Sequence, residues 1–127
     1  MSISPDTAPV TIGFDEFWAW LQMHRNCIIR AGTATTVVFD HDDYHWSMAA
    51  EDEQTFLVQV GRGKDLVAEI VLNPQEIAYI QTVDLESDEF GFELMVESEN
   101  VREVAYHFVL AHAYDEEAEP GVRRWTH

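Results

Sequence analysis

The densest cluster of side chains able to do chemistry is residues 41–45, which read HDDYH. Two imidazoles and two carboxylates within five residues supply ligands that divalent transition metals accept. In a turn, His41 and His45 can converge on one ion, with Asp40 or Asp42 as an oxygen ligand. The spacing matches no established metal motif. The sequence therefore offers a candidate metal site at His41, Asp42 and His45, with a solvated acidic turn as the alternative.

A nucleophilic site is less well supported by the sequence. Cys27 is the only cysteine, and His24 three residues earlier is a possible base for its thiol. However, Cys27 begins an apolar segment, where cysteine usually behaves as a small hydrophobic residue. The chain contains no set of nucleophile, base and orienting group and no glycine-rich ligand loop. We therefore expect no catalytic residue and no cofactor, and a non-enzymatic protein is favoured over an enzyme.

The net charge restricts the kinds of partner. The 127 residues include 24 Asp and Glu against 7 Lys and Arg, which gives a formal net charge of -17 at pH 7. Phosphate backbones are bound by clustered Lys and Arg, so direct nucleic acid binding is not expected. Anionic membrane surfaces repel such a chain for the same reason. Basic proteins, cations or a salty habitat remain as explanations of the charge.

The compartment is inferred from three features. A single cysteine allows no disulfide within the chain. The first residues have neither the basic region nor the apolar region of a signal peptide. No apolar run approaches the roughly 20 residues of a membrane span. These features predict a soluble cytoplasmic protein.

The elements that must position these residues follow from hydrophobic periodicity. Phe14, Phe17, Trp18 and Leu21 form an apolar stripe at helical spacing, which predicts a helix over residues 14–25. Residues 27–97 then alternate with period two between short turns, with one helical turn possible at residues 74–76. This pattern predicts about six or seven strands in an antiparallel meander. The hydrophobic fraction of 46% supports a packed core.

The C-terminal element has two interpretations. Asn100 followed by Glu103 resembles a helix capping box, and an apolar stripe follows at helical spacing. These features favour a helix over residues 101–114. A strand is the alternative, because Tyr106, Phe108 and Leu110 also alternate. The resulting prediction is an α+β domain over residues 13–114, with a flexible arm at 1–12 and an acidic then basic tail at 115–127.

The second face of the predicted sheet carries too many apolar residues for a face in water. Five of them fall in the register assigned to solvent: Leu57, Val67, Val71, Ile80 and Met95. Such a surface needs a cover. Strong curling of the sheet, a second copy of the chain or a different protein are the three possibilities. We expect these residues to form an interface, with a homodimer as the leading arrangement.

The function that this profile favours is protein binding. No motif is specific enough to name a family. A small, acidic α+β chain with an apolar sheet face suits a chaperone, adaptor or immunity-type module that binds a protein partner, a basic one being an option. The alternative is a small metal-binding protein or enzyme centred on His41, Asp42 and His45. A nucleic acid mimic and a salt-adapted domain are further alternatives.

Overall fold

A computed structural model describes residues 11–85 and 89–111. These residues form nine strands, one α-helix and two short 3-10 helices, as follows: β1 (Thr11–Ile12), α1 (Phe14–Met23), a 3-10 helix (Arg25–Cys27), β2 (Ile28–Thr33), β3 (Val37–Phe39), β4 (Tyr44–Ala50), β5 (Phe56–Arg62), β6 (Asp65–Leu72), a 3-10 helix (Pro74–Glu76), β7 (Tyr79–Asp84), β8 (Phe90–Ser98) and β9 (Val101–Leu110). The predicted α+β class and antiparallel meander are confirmed. The helical turn at residues 74–76 is also present.

The strands form two antiparallel sheets. The larger sheet has six strands in the order β1-β7-β8-β9-β2-β3, and the smaller has three in the order β4-β5-β6. Each contains a meander of three consecutive strands joined by short connections. The sequence prediction placed six or seven strands in one sheet, because alternation identifies strands but does not show where a sheet ends.

Helix α1 joins the two sheets through its aromatic stripe. The Trp18 ring lies 5.0 Å from that of Phe56 on the smaller sheet. The Phe17 ring lies 4.9 Å from that of Phe92 on the larger sheet. Asp15 is in the first turn, where a carboxylate is favoured by the helix dipole. The helix ends at Met23, two residues before the predicted end.

The core lies between the two sheets and α1. Its largest side chains are fully buried aromatic and aliphatic residues from the helix and from both sheets: Phe17, Phe90, Phe92, Phe108, Leu21, Ile28, Leu72, Ile80, Leu94 and Leu110. The aromatic rings meet edge to face or tilted, an arrangement that adds to the free energy gained from burial. The second sheet and the helix together cover the inner face of the larger sheet.

The prediction of a helix over residues 101–114 is wrong for residues 101–110. Residues 101–110 form β9, which pairs with β8 on one side and β2 on the other. Glu99 and Asn100 both have positive φ, 50° and 71°, and they connect the paired residues Ser98 and Val101. Such a two-residue turn suits the twist of a β-hairpin, so Asn100 is a turn residue and not a helix cap. Residues 112–114 lie outside the described residues.

The ends of the predicted domain are partly described. Thr11 and Ile12, the last residues of the predicted arm, form β1 and pair with Gln81 and Ile80 of β7. The rest of that arm, residues 1–10, and the predicted tail, residues 115–127, lie outside the described residues. In the described part of the chain, α1 is too short to cross a bilayer and no other helix has the length and apolarity required.

Candidate functional site

The outer face of the smaller sheet is the strongest candidate site. Met48, Val58 and Ile70 are paired across β4, β5 and β6 and pack in the core. The residues between them point to the opposite side of this sheet. That side carries Leu66, Val67 and Val71 of β6 and Leu57 of β5, which pairs with Val71, and we call these four residues the β6 patch.

Three residues of the β6 patch are exposed and one is buried. The exposed fractions are 59% for Leu66, 43% for Val67 and 47% for Val71. Leu57 lies between Ala49 and Val71 and is only 7% exposed. Of the predicted interface residues, Val67 and Val71 are therefore at the surface, and Leu57, opposite Val71, is buried. Several large apolar side chains exposed next to each other are typical of a surface that contacts another molecule.

A β-bulge places Leu66 in the patch. Ala68 pairs with Val60, but Leu66 pairs with Gly61, so Val67 is an extra residue in β6. The extra residue reverses the alternation at this point. Strict alternation would place Leu66 on the same side as Ile70 and Leu72, which are buried, so alternation alone does not identify it as a patch residue. The glycine opposite Leu66 was the one available signal, because glycines in strands often mark bulges.

The polar groups of this face include one carboxylate, that of Glu69. Glu69 lies between Val67 and Val71 on β6, and its Oε2 accepts a hydrogen bond of 2.7 Å from Gln59 Nε2. His45 lies beside Gly61, where a methyl group would be only 2.7 Å from His45 Nε2. The face therefore offers a partner apolar contacts and, between Val67 and Val71, the carboxylate of Glu69.

Strand β6 also has a free edge. It is the last strand of the smaller sheet, and within the described residues it pairs only with β5. It is eight residues long and contains no Lys or Pro, the residues that commonly protect strand edges. A free edge of this kind is able to pair with an extended segment of another chain.

The other two predicted interface residues are corrected. Ile80 is 1% exposed and belongs to the core, where it pairs with Ile12 and Leu94. The sequence assigned it to the wrong face because the 3-10 helix before β7 shifts the alternation. Met95 lies next to a register shift in the larger sheet and is 8% exposed. Neither side chain belongs to the exposed surface of the β6 patch.

The candidate metal ligands are separated by their local contacts. His41 Nδ1 accepts a hydrogen bond of 3.0 Å from the Asp43 backbone N–H, which occupies one of its two nitrogens. Its ring lies 5.3 Å from the ring of Tyr44. His45, in contrast, lies against β5, and Asp42 is an exposed turn residue.

No ready-made ligand set is present in this region. Asp40, the other oxygen ligand considered, accepts a hydrogen bond of 2.9 Å from the indole Nε1 of the buried Trp46. Within residues 11–85 and 89–111, no three or more His, Cys, Asp or Glu side chains are grouped so that they can hold a metal ion. Metal binding at His41, Asp42 and His45 stays a prediction.

The single thiol is in a protected environment. Cys27 is half-buried at the end of a 3-10 helix and packs against the core. Burial raises the pKa of its thiol above the ordinary value of 9.0, which disfavours the reactive thiolate. His24 Nδ1 lies 2.8 Å from the backbone carbonyl oxygen of Trp20, and the two rings are stacked. Packing against the core is the environment expected for a cysteine that behaves as a small hydrophobic residue.

Comparison with known proteins identifies no relative. No family model matches the chain, no curated protein matches its sequence, and no solved structure matches its fold.

Proposed function

We propose that the protein is an acidic, non-enzymatic interaction module that binds a basic protein partner through the β6 patch. The observation that carries this proposal is the group of three large apolar side chains, Leu66, Val67 and Val71, exposed on the outer face of the smaller sheet. Their burial against a partner would supply affinity, at roughly 25 cal/mol per Å² of apolar surface removed from water. A cytoplasmic location is part of the same proposal and follows from the sequence alone.

Charge complementarity favours a basic partner over a second copy. The chain has a net charge of -17, and Glu69 lies within the patch itself. A twofold dimer would use the same patch on both sides, so each Glu69 would approach an identical acidic surface. A partner with Lys or Arg around an apolar strand would instead pair with Glu69 and be drawn in by long-range attraction. The free edge of β6 offers such a strand backbone hydrogen bonds.

The experiment captures partners on the immobilised full-length protein from an extract of its native cells. A Val67→Thr, Val71→Thr double variant serves as the test. Threonine keeps the β-branched shape while it adds a hydroxyl group to each apolar contact. Val101→Thr is the matched control, since Val101 is 50% exposed on β9, in the other sheet. Any captured protein is then purified, and its affinity for the wild type, the double variant and the Val101→Thr control is measured at low and moderate salt.

The proposal requires a captured protein that is basic, that binds more weakly as salt rises, and that loses about tenfold in affinity with the double variant but not with the control. Homodimerisation is measured in parallel by sedimentation velocity. Self-association that strengthens with salt and is lost in the double variant would assign the patch to a second copy and overturn the basic-partner proposal. Equal capture by all three proteins would also overturn it.

A further inference from the structure

A second surface, on the outer face of the larger sheet, carries an arginine and a neighbouring histidine. Arg30 of β2 and His107 of β9 alternate with Ala31 and Phe108, which are both fully buried in the core. Both side chains therefore lie on the side of the sheet that faces away from the core. Arg30 is opposite Val109, two residues along β9 from His107, which makes Arg30 and His107 diagonal neighbours.

Arg30 has no acidic partner among the described residues. The guanidinium of Arg62 is 3.8 Å from Asp43, and that of Arg102 is 3.1 Å from Glu97. Within residues 11–85 and 89–111, no carboxylate lies within 4.0 Å of Arg30 and no side chain hydrogen bond engages it. Arg30 is half-buried, and in a chain with 24 acidic residues a guanidinium that has no carboxylate partner among the described residues is unexpected.

The carboxylate of Glu93, on the same face, is hydrogen-bonded to Gln81. Glu93 is paired across the sheet with His107, but its Oε1 accepts a hydrogen bond of 2.8 Å from Gln81 Nε2. Burial lowers the pKa of His107, the charge of Arg30 lowers it further, and Glu93 opposes both effects. An anion placed beside Arg30 would therefore also favour protonation of His107.

The surroundings of Arg30 are apolar. Phe39 is its cross-strand neighbour on β3 and is 61% exposed, and Val37 on the same strand is 42% exposed. Gly32 lies between His107 and Val37 in the register and places no side chain there. The result is a cationic group bordered by exposed apolar side chains at the edge of the sheet.

We propose that Arg30 and His107 bind a carboxylate group that is attached to an apolar group, with Phe39 and Val37 contacting the apolar part. Guanidinium is suited to carboxylate because its planar donors match the two oxygens. The proposal is independent of the β6 patch, which lies on the other sheet. The net charge repels free anions at low salt, but at 0.15 M the Debye length is about 8 Å, so distant carboxylates are largely screened.

The first experiment titrates the full-length protein with benzoate at 0.15 M salt and follows the His107 imidazole signals by NMR. Benzamide, which has the same shape and no charge, is the control ligand. Benzoate should raise the pKa of His107, and benzamide should leave it unchanged. Equal effects of the two ligands, or no effect of benzoate at millimolar concentration, would overturn the proposal.

Variants then test the role of Arg30. Arg30→Gln should weaken benzoate binding by about tenfold or more, the loss of a charge-assisted hydrogen bond. Arg30→Lys, which keeps the charge and loses the planar donor pair, should give an intermediate loss. Arg102→Gln is the matched control, because Arg102 is exposed and already paired with Glu97. Equal affinities in Arg30→Gln and Arg102→Gln would contradict the assignment.

The source of the carboxylate is distinguished with peptides. Acetyl-Ala-Phe with a free C-terminal carboxylate is compared with its amide under the same conditions. Binding of the free acid peptide together with benzoate would support recognition of peptide C-termini. Binding of benzoate alone would support recognition of small carboxylic acids. Binding of the amide as tightly as the acid would overturn the proposal.

Discussion

The packing of the aromatic core predicts a large difference between two phenylalanine truncations. Phe92 is fully buried, and its ring lies 4.9 Å from Phe17, 5.4 Å from Trp20 and 5.2 Å from Phe90. It is therefore one of the residues through which the larger sheet contacts α1. Phe92→Ala removes these contacts and leaves a cavity that the surrounding rings fill only in part.

The expected cost of Phe92→Ala is about 4 kcal/mol, since buried Phe to Ala substitutions cost ~3–5 kcal/mol and aromatic pairs are lost as well. With a urea m-value of about 2 kcal/mol per M, the unfolding midpoint should fall by about 2 M. Phe39→Ala is the matched control, because Phe39 is 61% exposed at the edge of the same sheet. Its cost should stay within about 1 kcal/mol.

The assay is urea unfolding followed by tryptophan fluorescence, with the midpoint and slope compared among the wild type and the two variants. An unchanged slope would show that the comparison reports stability and not a change in the unfolded state. The reasoning is refuted if Phe92→Ala costs less than about 1.5 kcal/mol, or if Phe39→Ala costs as much as Phe92→Ala.

Three further predictions concern the backbone, pH and the thiol. A methyl group at Gly32 overlaps the backbone carbonyl oxygen of Thr36, whereas one at Gly61 meets only the end of a movable imidazole. Gly32→Ala should thus destabilise by about 2 kcal/mol and Gly61→Ala by under about 1 kcal/mol in the same urea assay; equal costs would contradict this. Burial and the charge of Arg30 lower the pKa of His107 in the folded protein, so His107 binds a proton more readily in the unfolded chain. The stability of the folded protein should therefore decrease as pH falls below about 6.5, the ordinary pKa of histidine. An NMR titration midpoint above 6.5 would exclude this. Burial raises the pKa of Cys27, so iodoacetamide at pH 8 should alkylate the folded protein more slowly than the urea-unfolded chain, and equal rates would be inconsistent with the structure.

Much of the fold could be predicted from the sequence, because strand alternation and turn residues are local signals. The boundaries of β2 to β7 all lie within residues 27–97, the segment in which alternation predicts strands. Those of α1 differ only at the C-terminal end. The C-terminal element could not be assigned with the same rule, because residues 101–110 satisfy both a helical and an alternating pattern. Pairing with β8 and β2, which is long-range, favours the strand.

The candidate site was less predictable, because it depends on how the strands are arranged in space. Val67 and Val71 were identified from an excess of apolar residues on one face. Leu66 was missed, since a one-residue bulge reverses the face to which a side chain points. Ile80 was misplaced for a related reason, as the short helix before β7 interrupts the alternation. Arg30 and His107 are diagonal neighbours on β2 and β9, two strands far apart in the sequence, and alternation carries no information over such a separation.

Hydrogen–deuterium exchange of the full-length protein, with and without the basic protein captured on it, tests the proposed function most directly. The account predicts slower amide exchange across Asp65–Leu72 in the complex, with unchanged exchange across Val37–Phe39 at the edge of the larger sheet. Protection confined to another part of the chain, with β6 exchanging as in the free protein, would contradict the account.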